Sequence, residues 1–195
     1  MEDFQDLERR TLLDEEGIRQ GLDALAARLR PRLEGRQVTA IPVLGGAFVF
    51  AADLLRRLDP ATILDFVRIQ TYGKATQPEC SARADWLPHA DHVRDRTILL
   101  LDDILDTGRT MHEARRILLE DLGAREVFVV VFVDKPARRA LSITPDDCVI
   151  RVETDHFLVG YGLDYGGAWR GLPELVSLPL DSQGRPRRRS AMKRA

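Results

Sequence analysis

Apolar residues recur at helical spacing at Ile18, Leu22, Leu25 and Leu29, after the acidic Glu15-Glu16, and Pro31 breaks the repeat. This pattern predicts an amphipathic first helix that stops at Pro31. From Gln37 to Leu44 (QVTAIPVL) the chain changes to a strand-like apolar run that enters a Gly45-Gly46 turn. Beyond the turn, Ala47, Phe50, Ala51, Leu54, Leu55 and Leu58 resume the helical interval. Ile63 to Ile69, Thr97 to Leu101 and Glu126 to Val133 are nearly continuous in apolar residues, as strands buried on both faces are. Between the last two runs lies a helix marked by Met111, Ala114, Ile117, Leu118 and Leu122 and closed by Gly123. Strands alternating with helices imply right-handed crossovers and an α/β fold with a parallel, doubly wound sheet.

Two stretches depart from this rhythm. Tyr72 to Arg96 is polar, interrupted by Pro78 and Pro88, and too long for an ordinary connection, so it is read as a lid or as disordered chain. Asp181 to Ala195 is read as a flexible basic tail, because Arg185, Arg187, Arg188, Arg189, Lys193 and Arg194 crowd its end. Taking those six charges from the net −2 leaves a body at −8, a poor surface for nucleic acid. The 195 residues suit one domain, over 1–180. An acidic start, MEDFQDLERR, and a longest apolar run of only Val127 to Val133 argue against a signal peptide or a membrane span. Cys80 and Cys148 stand far apart with no C-x-x-C, which excludes a disulfide scaffold and fits a reducing cytoplasm.

In an open parallel sheet ligands collect at the carboxyl ends of the strands. After Thr97–Leu101 comes DDILDTGRT, with Asp102, Asp103 and Asp106 inside five residues. Adjacent carboxylates repel unless something hydroxylic or cationic holds them, so a sugar diol or a Mg²⁺-bearing substrate is a natural partner. Thr107, Gly108 and Thr110 open a helix, where free N–H groups and the positive dipole end favour a phosphate; Thr110 with Glu113 as a capping box is the plainer reading. A diol site beside a phosphate site is what a phosphorylated ribose requires.

ILLLDDILDTGRT resembles the phosphoribosyl-pyrophosphate (PRPP) motif of type I phosphoribosyltransferases. PVLGGAFVFAADLL resembles the pyrophosphate loop and following helix of the hypoxanthine-guanine members, RIQTYG the start of their lid, and FLVGYGLDYGGAWRGLPEL their purine hood. The four segments occur in the family's order and span about Leu12 to Leu178. The resemblance implies a type I phosphoribosyltransferase fold with a small hood over about 150–180 and a lid over about 72–96. It also implies Mg²⁺-dependent transfer of ribose 5-phosphate from PRPP to hypoxanthine or guanine.

By the same resemblance, Asp102 and Asp103 bind the ribose hydroxyls, and Thr107, Gly108, Arg109 and Thr110 cradle the 5′-phosphate. Asp106 sits near purine N7 as general base or electrostatic partner. Lys135 donates to the 6-oxo group; it is one of only three lysines, with Lys74 and Lys193, among 29 basic residues. Phe157 stacks on the purine and Leu158 meets its exocyclic position through the backbone. Leu44, Gly45 and Gly46 contact pyrophosphate, as does Arg170. Asp164 holds the Mg²⁺, with Asp102 and Asp103 reaching it through the ribose, and Thr71-Tyr72 begin the lid. Family members are homodimers or homotetramers, which sets the expectation for this chain.

Three positions depart from the family pattern. Gly45 stands where Leu-Lys-Gly is frequent, removing a side-chain charge but keeping backbone donors; Asp102 replaces a common glutamate; Thr71 replaces serine. The rival enzyme is a transferase of the same fold for xanthine or another base. The rival from another class is a PRPP-sensing regulator that binds nucleic acid through the tail, whose mark would be loss of Asp106 or Lys135. His89-x-x-His92 with Asp85 and Asp91 imitates a metal site but lacks the helix that would align its ligands.

Overall fold

The computed structural model describes residues 4–72 and 81–189. Five parallel strands form the central sheet: β2 (Val38–Pro42), β3 (Ile63–Leu64), β6 (Thr97–Leu105), β7 (Glu126–Asp134) and β8 (Asp147–Arg151), in the order β3-β2-β6-β7-β8. Pairing is in register from Val38↔Thr97 to Pro42↔Leu101 and from Thr97↔Glu126 to Leu105↔Asp134. Alternation along β6 sends Leu99 and Leu101 into one layer and Ile98 and Leu100 into the other. The first layer is filled by α1 (Glu15–Leu33) and α2 (Ala47–Leu55) through Leu22, Leu25, Leu29, Phe50 and Leu54; the second by α3 (Arg109–Arg116) through Met111 and Ala114. β6 is therefore buried on both faces, which is why its apolar run is unbroken until Asp102.

A second, antiparallel sheet joins both ends of the chain: β1 (Arg10–Leu13), β10 (Leu175–Leu178) and β9 (Phe157–Val159), in the order β1-β10-β9. It carries its own core of Phe4, Leu7, Val159, Val176 and Leu178, with Trp169 stacked on Phe4 at 4.6 Å. Among the described residues no helix is long and apolar enough to cross a membrane.

Several sequence expectations need correction. The first helix does not stop at Pro31 but runs to Leu33, because a proline in the last turn forfeits a single bond and Glu34 N–H still reaches Arg30 O. The run Ile63–Ile69 is not one strand. Asp65 interrupts it, accepting the N–H groups of Phe66 and His89 and meeting His92 Nδ1 at 2.7 Å. The chain then leaves the sheet as β4 (Arg68–Tyr72), paired antiparallel with β5 (Ser81–Trp86). Within the segment read as lid or disorder, Tyr72 and Ser81–Trp86 thus belong to a two-stranded ribbon, while residues 73–80 lie outside the described residues.

β6 extends four residues beyond Leu101, and β8 answers to none of the predicted strands. Nor is the chain free from Asp181 onward. Leu180 bridges Pro186, Arg185 donates to the Asp181 carboxylate, and Glu8 and Arg189 exchange backbone bonds with Arg187 and Asp6. The rest of the basic tail, 190–195, lies outside the described residues.

Phe132 is fully buried where β7 meets Tyr161 (ring centroids 4.7 Å) and Phe50 (5.9 Å). Phe132→Ala is expected to cost about 3–5 kcal/mol of unfolding free energy, read from urea denaturation.

Candidate active site

A cavity of about 310 Å³ opens at the carboxyl ends of β2 and β6. It gathers Leu44, Gly45, Gly46, Asp102, Asp103, Asp106, Thr107, Gly108, Thr110, Asp164 and Arg170, eleven of the residues expected from sequence, with Val43, Ile69 and Met111 as apolar walls. A larger cleft of about 840 Å³ lies at the amino ends of the same strands. Its arginines already have protein partners: Arg36, Arg56 and Arg57 pair with Glu126, Asp53 and Asp23, while Arg30 and Arg96 donate to the carbonyls of Arg57 and Val38.

The acidic pair is delivered by β6 itself. Asp102 is 8% exposed, and its Oδ1 accepts the Asp103 N–H at 3.0 Å. Burial, reinforced by the Asp103 charge, pushes the Asp102 carboxyl well above the ordinary carboxylate range. Burial also raises Asp103, opposed by hydrogen bonds and by the nearby Arg170 guanidinium. The close approach depends on glycine: a Cβ on Gly46 would fall 1.5 Å from Asp103 Oδ2, and one on Gly162 would fall 2.4 Å from the Gly46 carbonyl oxygen. Gly46 and Gly162 (φ +101°) let the turn after β2, the acidic strand and the segment after β9 meet without side chains between them.

Asp106 follows β6 at the mouth of the loop. Its Oδ1 is enclosed and has no hydrogen-bond partner among the described residues, while Oδ2 lies 3.5 Å from Arg138 Nη1. Gly108, in the left-handed region at φ +86°, is the residue before α3; a Cβ there would meet Ile143 Cγ2 at 2.6 Å. The N-cap is Gly108, which has no side chain to offer, and Glu113 is bound to Arg116, so the Thr110–Glu113 capping box does not form. The N–H groups at the start of a helix have no helical acceptors, and Thr107, Gly108, Thr110 and Met111 around this one line the cavity.

Across the cavity, Arg170 donates to Gly162 O at 2.6 Å and pairs with Asp164 at 2.7 Å, and Asp164 also accepts the Gly167 N–H.

Six expected residues do not line this cavity. Arg109 is the first residue of α3. Lys135, 4% exposed, donates to His156 O at 2.9 Å and approaches Asp155 at 3.7 Å, while its own N–H reaches Leu105 O, beside Asp106. Phe157, 39% exposed, meets the Tyr165 ring edge-on, and Leu158 is buried, opposite Ser177 in the β9–β10 ladder. Thr71 and Tyr72 take part in the β4–β5 ladder through their backbones, opposite Ala82 and Ser81.

Two residues at the site had not been singled out. Gly162 is legible only as one more glycine in GYGLDYGG. Arg138, which approaches both Asp106 and Asp155, follows Lys135 in KPARR, where its charge reads as ordinary surface. Among the described residues no group of three His, Cys, Asp or Glu side chains has metal-binding geometry, His89 and His92 included.

The stability consequence has a definite sign. A folded-state pKa raised above the unfolded value means that Asp102 loses stabilising free energy as pH rises from the unfolded pKa through the folded one. Asp102→Asn is therefore expected to raise the melting temperature at pH 7, by roughly 2–4 °C for each 1 kcal/mol removed, and to flatten its decline between acid and neutral pH. Calorimetry across that range measures it.

The phosphoribosyl transferase domain family matches residues 8–166. The hypoxanthine-guanine phosphoribosyltransferase of Aquifex aeolicus is 34% identical over 176 residues, 90% of this chain and 97% of that one. The bifunctional protein TilS/HprT of Listeria innocua is 34% identical over 165 residues, which are 85% of this chain but only 25% of that protein. Among solved structures, a hypoxanthine phosphoribosyltransferase from Staphylococcus aureus superposes with a TM-score of 0.82 at 28% identity, over 90% of this chain and 93% of that one. With the parallel sheet, the paired carboxylates after β6 and relatives of this likeness over most of its length, the chain belongs to the phosphoribosyltransferase family and, within it, to the hypoxanthine-guanine phosphoribosyltransferases.

Proposed function

We infer that this protein transfers the ribose 5-phosphate of PRPP to N9 of hypoxanthine or guanine, releasing pyrophosphate, as a purine-salvage enzyme. The observation that carries the mechanism is the enclosed Oδ1 of Asp106, a buried acceptor that has no donor among the described residues. In the reaction the C1′–O bond to pyrophosphate breaks, the N9–C1′ bond forms, and the purine gives up a proton. A carboxylate held at N7 takes that proton or stabilises its departure. It also faces the positive charge that develops on the sugar.

The other roles follow from chemistry at each position. Asp102 and Asp103 accept from the ribose diol, which compensates the cost of burying two adjacent acids. Thr107, Gly108, Arg109 and Thr110 receive the 5′-phosphate at the first turn of α3. Backbone donors of Leu44, Gly45 and Gly46, with Arg170, hold the pyrophosphate. On the purine side Lys135 reads the 6-oxo group, Phe157 supplies a stacking face and the Leu158 backbone meets the exocyclic position. The β4–β5 ribbon, entered through Thr71 and Tyr72, serves as the lid that excludes water from the sugar cation. The β1-β10-β9 sheet forms the base of the hood.

The donor set suits Mg²⁺. Asp164, Asp102 and Asp103 offer only hard oxygen ligands, and Mg²⁺ keeps most of its shell as water and substrate phosphate, so a cage of three protein ligands is not required. Asp164, now paired with Arg170, would hold it, and Asp102 and Asp103 would act through the ribose; the chemistry it would supply is neutralisation of charge on the leaving pyrophosphate. A homo-oligomer, dimer or tetramer, completes the reading, and the 190–195 end has no part in turnover.

Purified protein with Mg²⁺ and PRPP is expected to form nucleotide and pyrophosphate from hypoxanthine or guanine, in preference to xanthine and adenine. Asp106→Asn is expected to lower kcat by roughly 10²–10⁴-fold. Turnover of xanthine alone, or PRPP binding with no turnover of any base, would contradict the assignment.

A further inference from the structure

The loop after β7 sends one side chain back beneath the catalytic loop. Arg139 Nε donates to Asp106 O at 2.8 Å, Nη2 to Leu105 O at 2.7 Å and to Asp134 Oδ1 at 2.6 Å, and Nη1 to Ile143 O. Its side chain is 13% exposed and that of Asp134 6%. A guanidinium presents five N–H donors in a rigid plane, and here they meet four acceptors drawn from three separate points of the chain. Two of these are consecutive carbonyls, Leu105 and Asp106, where the chain turns out of β6. Asp134 immediately precedes Lys135, and the Lys135 N–H bonds the same Leu105 carbonyl at 3.1 Å.

We propose that Arg139 is a positioning residue that fixes the Asp106 carboxylate and Lys135 at one separation, by clamping the carbonyl of the first and the neighbour of the second. This rests on the transferase reading above. Asp106 Oδ1 has no hydrogen-bond partner among the described residues and Oδ2 has only the 3.5 Å contact with the half-exposed Arg138, so the direction of the carboxylate rests chiefly on its backbone. The neighbouring Thr107 carbonyl is tied independently, by the N–H groups of Ala140 and Leu141. The phosphate-binding turn therefore keeps its anchor when Arg139 is replaced, and the loss falls on the reacting atoms rather than on PRPP binding. Lysine is not a substitute, since one ammonium cannot reach both carbonyls and Asp134 in a single plane.

The test is steady-state kinetics on Arg139→Gln and Arg139→Lys, alone and combined with Asp106→Asn, with protein concentration corrected for folded sites by PRPP-binding stoichiometry. A misplacement of the acid by a fraction of an ångström to 1 Å predicts kcat lower by roughly 10–100-fold with KM for PRPP within about twofold, for both replacements. In the Asp106→Asn background the further loss should shrink to less than about threefold, because the group being positioned is already gone.

If Arg139→Gln does not fold, Arg139→Lys carries the same comparison with the buried charge kept. Normal kcat per folded site, a selective rise in KM for PRPP, or losses that multiply fully in the double variant would each overturn the positioning role while leaving the transferase reading intact. A wild-type protein without turnover, or an Asp106→Asn variant as active as wild type, would overturn both.

Discussion

Everything at this site follows from forcing two adjacent carboxylates out of a strand that is otherwise apolar on both faces. β6 stays buried between two helical layers through Leu101, so Asp102 and Asp103 emerge at a point where little water reaches them. Their repulsion and desolvation oppose folding, and the raised pKa of Asp102 is the direct expression of that cost. The arrangement persists because the larger part of the sheet is unconstrained by chemistry and packs to high burial, supplying the stability that the acidic end consumes.

The surroundings of that pair are specified with unusual economy of side chains. Gly46 and Gly162 carry none, and atoms of Asp103 and the Gly46 backbone occupy the places where Cβ atoms would stand. Charge compensation comes from the far wall, where Arg170 is held between Gly162 O and Asp164. The site is thus assembled from the ends of β2 and β6 and from the hood segment after β9. Each depends on the others: moving the segment after β9 would remove Arg170, the guanidinium that favours ionisation of Asp103.

The central sheet and the acidic motif were legible in the sequence because both are local. Continuous apolar runs mark doubly buried strands, and DDILDTGRT places its carboxylates by residue spacing alone. What could not be read is what depends on distant partners. Ile63–Ile69 looks like one strand until Asp65 finds His89 and His92, 24 and 27 residues away, and turns the chain. β8 has only a short run, Asp147–Arg151, and becomes a strand through its pairing with β7. Arg185, Arg187, Arg188 and Arg189 look like a free basic end, yet backbone bonds to Asp6 and Glu8 fold that segment onto the start of the chain. Arg138 and Arg139 are invisible as site residues for the same reason, since nothing in KPARR says that a loop returns toward Asp106.

The most direct measurement is a crystal structure of the protein with GMP bound. The expected result has the phosphate at the first turn of α3, the ribose hydroxyls on Asp102 and Asp103, and N7 of the base facing Asp106 with its 6-oxo group at Lys135. A nucleotide seated outside the cavity between β2, β6 and Arg170, or one whose base points away from Lys135, would contradict the assignment of this cavity as the catalytic centre.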